Sequence, residues 1–163
     1  MQKLSVVCFV TLGLFVIGRL SSGPSSGSTP RLLAAEPQPA SAQSPVEADM
    51  HEFMEYVFEP PYKRLKASLA TAPAADDRAA WKGIKSDSLI LAEAGNLLLG
   101  RPPEKDAAEW NTHSIKVRDT GALLYAAAKK KDSVEARKQW VGLLENCNAC
   151  HKQFAGGEHM LEP

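Results

Sequence analysis

The segment Cys147-Asn148-Ala149-Cys150-His151 constrains this chain more than any other stretch. Two thiols three positions apart, with a histidine directly after the second, form the attachment pattern of c-type haem. Each residue type has a chemical task there. The thiols add across the two haem vinyl groups to give thioethers, and the imidazole of His151 ligates the iron from one face. On a helix, positions i, i+3 and i+4 share a face, so all three side chains reach one macrocycle. Rival readings are a redox CxxC, which lacks βαβ surroundings here, and a zinc site recruiting His151 or His159. Zinc calls for a fourth protein ligand in a closed Cys/His cluster, and the chain offers no second pair. The expected cofactor is one covalently bound haem c with its iron.

The N-terminus bears on where that attachment happens. Lys3 precedes an apolar run over residues 4–17, interrupted by Ser5, Thr11 and Gly13, the n-region and h-region of a secretory signal. Residues 1–20 therefore read as a signal peptide. Gly18-Arg19-Leu20-Ser21 is a poor cleavage sequence, so an N-terminal membrane anchor stays open, although the run is short for a full span. Cys8 is an apolar member of that run. Haem c is attached outside the cytoplasm in bacteria, so the export signal and the CxxCH support each other and imply a periplasmic protein. Residues 21–44 are dominated by Ser, Pro, Gly, Ala and Gln; they cannot bury enough apolar surface to order themselves and read as a disordered linker. The folded domain is expected over 45–163. After Cys8 its only cysteines are Cys147 and Cys150, which leaves no spare pair for a disulfide; covalent haem would take the stapling role. From Glu47 onward acidic residues slightly outnumber basic ones, so nothing argues for nucleic acid.

The exported domain reads as all-α. β-branched residues are sparse and apolar positions recur at three and four. A first segment over about 45–71 carries Met50, Phe53, Met54, Val57, Leu65 and Leu69, with Pro60-Pro61 expected to break or kink it. A second over about 74–99 carries Trp81, Ile84, Ser88, Leu91, Gly95 and Leu98. Gly100 and then Pro102-Pro103 mark a stop and a new start. A third over about 103–130 carries Trp110, His113, Val117, Gly121, Leu124 and Ala128. Asp132 to Glu135 resembles a capping box, and the fourth segment carries Val134, Val141, Leu144, Cys147, Cys150, His151 and Phe154. Four helices with short connections favour an up-down-up-down bundle. In that topology the C-terminal end of the last helix meets Met50, His51, Phe53, Met54, Leu97, Leu98, Trp110 and His113. Phe53, Leu98 and Trp110 are the expected haem-pocket residues.

A C-terminal CxxCH on the last helix of a small exported four-helix bundle resembles the cytochrome c′ family and its six-coordinate cytochrome c-556 relatives. Glu109-Trp110-Asn111, the stretch from Ala126-Ala127-Ala128 to Asp132, and Cys147 to Phe154 with its Cys-His-x-x-Phe carry the resemblance, which covers roughly the last third of the chain. It implies a haem protein of electron transfer working with redox partner proteins, with gas binding as the known variation and a homodimer as an assembly open to it.

For the sixth iron position, Met54 and Met50 lie one turn apart on one face. A thioether there raises the reduction potential and suits electron transfer, whereas the bland reading makes both methionines core filler. Met54 is preferred because it lies deeper in its helix. His113 reads first as a core histidine satisfied by a partner and only second as a ligand; His51 points away from the Met50/Met54 face, and His159 follows Gly156-Gly157. Lys129-Lys130-Lys131 complements the negative end of a helix dipole, or else steers an acidic partner. The expectation is a monohaem electron carrier with no catalytic residues. The alternative is a five-coordinate protein binding small gases such as nitric oxide, and a peroxidase ranks last because no distal His–Arg pair is in view.

Overall fold

The computed structural model describes residues 44–163. The signal or anchor (1–20) and the linker (21–44), apart from Ser44, lie outside the described residues. Among the described residues the regular structure is entirely helical, in four packed helices. The first, α1, covers residues 50–70 in three consecutive pieces: an α-helical turn Met50–Phe53, a π-helical turn Met54–Phe58 and an α-helix Glu59–Ala70. Then follow α2 (Arg78–Leu99), α3 (Ala107–Lys130) and α4 (Ser133–Phe154). No helix among the described residues is long and apolar enough to cross a membrane.

Carboxylates decide three of the four starts. The Asp49 side chain accepts from the His51 and Glu52 amides, Asp77 from Ala80, and Asp132 from Glu135, each satisfying donors that the first helical turn leaves unpaired. Asp49 and Asp77 thus start α1 and α2 later than apolar spacing alone implies. Likewise α3 begins at Ala107 rather than at Pro103, after Asp106 adopts a left-handed backbone (φ 59°).

Pro60-Pro61 does not break α1. A proline ring clashes with the carbonyl four residues back, here those of Tyr56 and Val57, and both belong to the widened π turn. Glu59 N–H donates to the Met54 carbonyl five residues earlier, the hydrogen-bond step of a π turn. The extra residue also corrects the phase of the helix. Phe53 and Pro61 are both buried, yet eight residues of regular α-helix rotate about 80° past two full turns. One widened turn removes most of that offset, so Phe53 shares a face with Pro61, Leu65 and Leu69.

Neighbouring helices run antiparallel. Arg64 of α1 forks onto the buried Asp87 of α2 at 2.7–3.1 Å, while nearer the chain start Phe53 packs with Leu98. Between α2 and α3 the backbones nearly touch: a Cβ on Gly95 would lie 2.7 Å from the Arg118 nitrogen, and one on Gly121 would lie 3.0 Å from the Ala92 Cα. Asn146 of α4 donates to the Thr120 hydroxyl of α3 at 2.8 Å. By contrast α1 reaches α4 through long side chains, with the Tyr62 ring stacked 5.7 Å from Trp140 and Arg137 donating to the Leu69 carbonyl.

The main core gathers Leu65, Leu69, Trp81, Ile84, Leu91, Leu124, Trp140 and Leu144 with their neighbours. The stripe expected on α2 is buried throughout. On α4 the buried face is Ala136, Trp140, Leu143, Leu144 and Cys150, one step round from the expected one. Val134 is exposed, because two positions before the buried Ala136 it points to the opposite side of the helix.

Candidate functional site

At the end where α2 passes to α3, a second apolar cluster forms from Phe53, Leu98, Trp110 and Cys150, all buried, flanked by the half-buried Met50, Met54, Val57, Phe58 and Phe154. Each helix contributes to it: the start of α1, the end of α2, the start of α3 and the end of α4. The Trp110 indole N–H donates to the Leu98 carbonyl at 2.7 Å, alongside the Arg101 N–H at 2.9 Å, and ties α2 to α3. Phe154 meets Trp110 edge-to-face at 5.2 Å, and Phe58 meets Phe53 likewise at 5.7 Å. Arg101 lies over the Phe53 ring at 3.9 Å and donates to the Leu97 carbonyl at 2.8 Å. Its Nε is buried without a hydrogen-bond partner.

Cys147 and Cys150 stand one turn apart on α4 and are not joined in a disulfide. Cys147 packs against the main core and Cys150 belongs to the second cluster, so the pair bridges the two. Desolvation pushes the Cys147 thiol up to about 12, helped by its neighbour Cys150, and pushes Cys150 up to about 11. Burial disfavours the thiolate, so both sulfurs carry their hydrogens at neutral pH.

The half-buried His151 has its Nδ1 2.9 Å from the His159 carbonyl oxygen. A carbonyl only accepts, so Nδ1 carries the hydrogen; in the neutral ring that leaves the Nε2 lone pair available.

The structure therefore brings Met50, Phe53, Met54, Leu98, Trp110 and Cys150 together. Two residues expected beside them lie elsewhere: Leu97 is 44% exposed, and His51 faces solvent beside Glu55. His113 pairs through Nε2 with Gln153 Oε1 at 3.0 Å and packs edge-on against Phe154, while its buried Nδ1 has no partner. Lys131 donates to the Ala75 carbonyl and Lys129 lies over the Tyr125 ring, which accounts for two of the three clustered lysines structurally. Two contributors escaped the sequence reading. Arg101 stands between Gly100 and Pro102 and looked like loop. The segment after α4 returns to His151, and its only advance sign was Gly156-Gly157 followed by the apolar Met160-Leu161. Among the described residues, no group of three or more His, Cys, Asp or Glu side chains is arranged to hold a bare metal ion. Comparison with protein-family profiles, characterised proteins and solved structures returned no match.

Proposed function

We propose that this chain is an exported c-type cytochrome, an up-down-up-down bundle carrying one haem on Cys147 and Cys150, that shuttles single electrons between redox partner proteins in the periplasm. The observation that carries the reading is the conjunction at one end of the bundle. Two thiols and an imidazole with its Nε2 lone pair available share a helix end with an aromatic, thioether-bearing apolar cluster. The residues present fit the group. Cys147 and Cys150 would supply the covalent links, His151 Nε2 a donor to the iron, and Phe53, Leu98 and Trp110 apolar walls; the unpartnered Arg101 Nε is a donor suited to a carboxylate such as a propionate. When bound, the haem would supply an iron that changes oxidation state by one electron.

The chain's own residues set the conditions for that exchange. Cys147 and Cys150 would anchor the group on α4. Phe53, Leu98 and Trp110 would keep water from it, favouring its less charged state. Met54, half-buried beside the cluster, would offer the iron a second donor, and its soft sulfur would favour the reduced state. An absorption spectrum of the reduced protein, with and without carbon monoxide, tests this. A low-spin spectrum indifferent to carbon monoxide is expected. Met54→Ala should turn it high-spin and carbon monoxide-reactive, and Met50→Ala should leave it low-spin. A wild-type protein already high-spin and quick to bind carbon monoxide would overturn the electron-carrier reading in favour of gas binding.

A further inference from the structure

The chain does not stop at the end of α4. Gly156 (φ 64°) and Gly157 (φ 81°) take left-handed conformations open to glycine and turn the last residues back along the helix. Gly157 N–H donates to the His151 carbonyl at 3.0 Å, as does Ala155 N–H at 2.9 Å. The returning segment is then fastened at two further points. The Asn148 side chain makes a two-point pairing with Leu161, Nδ2 donating to its carbonyl at 2.9 Å and Oδ1 accepting from its N–H at 2.7 Å. The Tyr62 hydroxyl donates to the Glu162 carbonyl at 3.0 Å, and the Leu161 side chain packs on the main core beside Phe58, Tyr62 and Cys147.

Between these fasteners lies His159, whose backbone is left-handed (φ 56°). Only a few per cent of non-glycine residues take that conformation. It is held here with its carbonyl 2.9 Å from His151 Nδ1. Asn148 is one of the two residues between the motif cysteines, and its side chain is spent on the returning segment.

We propose that residues 156–163 form a strap that fixes His151 as the Nδ1–H tautomer, and that Asn148 is the positioning residue seating the strap. This rests on the reading of His151 as an iron ligand. A ligating histidine works through one ring nitrogen while the other donates to a fixed acceptor, which sets the ring's orientation and raises its basicity. The strap provides that acceptor from the segment that follows α4. Loss of it would let the ring exchange tautomers and weaken its donation to ferric iron.

Two readouts test the strap, one without haem. In the apoprotein, proton–nitrogen correlation spectra of the His151 ring at a pH where it is neutral should show Nδ1 protonated and Nε2 bare. In Asn148→Ala, and in a chain ending at Gly157, the two nitrogens should move toward the averaged shifts of a tautomer mixture. In the haem-loaded protein, Asn148→Ala should raise the reduction potential. Asn148→Asp, which still accepts from Leu161 N–H but cannot donate to its carbonyl, should recover part of the shift. Helix content, followed by circular dichroism, should be unchanged in Asn148→Ala. An apoprotein ring that is already averaged or protonated on Nε2, or one unmoved by both strap variants, would overturn the proposal. So would an unchanged potential in Asn148→Ala. A protein that shows the expected ring signals but never takes up haem would instead defeat the function proposed for the site.

Discussion

At the end of the bundle where α1 passes to α2 and α3 to α4, the chain fills its own interior. Trp140, Leu65, Ile84 and Leu124 are fully buried, and Tyr62 closes the side with its ring on Trp140. At the opposite end four residues are buried and five more are half-covered, among them Met50 and Met54, while Cys150 carries a free thiol and the Nε of Arg101 has no hydrogen-bond partner. The same four helices build both ends. One end is filled by fully buried side chains; the other gathers half-covered apolar side chains and sulfur atoms. Backbone geometry follows that division. The glycine contacts between α2 and α3 draw two helices together, and the π turn in α1 keeps Phe53 aimed at the second cluster although two prolines follow.

Trp140 should give the largest effect. Trp140→Ala should cost about 3–5 kcal/mol in denaturant unfolding of the apoprotein, and Phe53→Ala, at the more open end, about 3 kcal/mol, the bottom of the same range. An equal or larger loss at Phe53 would break the contrast between the ends. Trp140→Phe sharpens it, because the indole N–H is buried without a partner. Removing an unsatisfied donor offsets part of the lost packing, so the cost should stay near about 1 kcal/mol.

Next comes the seam between the ends. Alanine is the better helix former by about 1 kcal/mol, but at Gly95 its Cβ would meet the backbone of Arg118. Gly95→Ala should therefore destabilise by about 1–3 kcal/mol through overpacking. The same change at Gly83, where the added carbon meets nothing within 4 Å, should stabilise slightly, and thermal melts of the two variants compare them directly.

A pH titration of apoprotein stability should isolate the thiols. Cys147 has a folded value of about 12 against an ordinary 9.0. The folded state therefore holds its proton where the unfolded chain has lost it. The associated stability is complete below about pH 9 and drains away as pH rises from there toward 12. A Cys147→Ala variant should show a flatter decline over that window, and alkylation of the wild-type thiol should be slow until the protein unfolds. The smallest effect expected is Tyr62→Phe. It removes one exposed hydrogen bond to the Glu162 carbonyl and should cost about 0.5–1 kcal/mol at most, with faster amide exchange confined to the last residues.

Much of this was legible in the sequence. The stripe on α2, and that on α3 apart from His113, where Ser114 is buried instead, follow from three-and-four spacing, and the meeting of Met50, Met54, Phe53, Leu98, Trp110 and Cys150 follows from topology. What escaped depends on contacts distant in sequence. Trp140 and Val141 are adjacent apolar residues, and spacing alone does not say which faces inward; Tyr62, far away on α1, decides it. Proline chemistry foretold a disturbance at Pro60-Pro61 but not its form, since a π turn is favoured here by the need to hold Phe53 and Leu65 in phase. The strap was invisible because its anchor, Asn148, reads in the sequence as filler between two cysteines.

The account turns on whether the open end of the bundle carries a covalent cofactor. Co-expression of the full chain with a c-type maturation system, followed by acid–acetone extraction and intact-mass measurement of the recovered protein, tests that directly. The account predicts that the protein keeps its haem absorbance through extraction and gains the mass of one haem. The Cys147→Ala, Cys150→Ala double variant should lose both. A wild-type protein that releases its haem into acetone, or is recovered at the mass of the bare polypeptide, would contradict it.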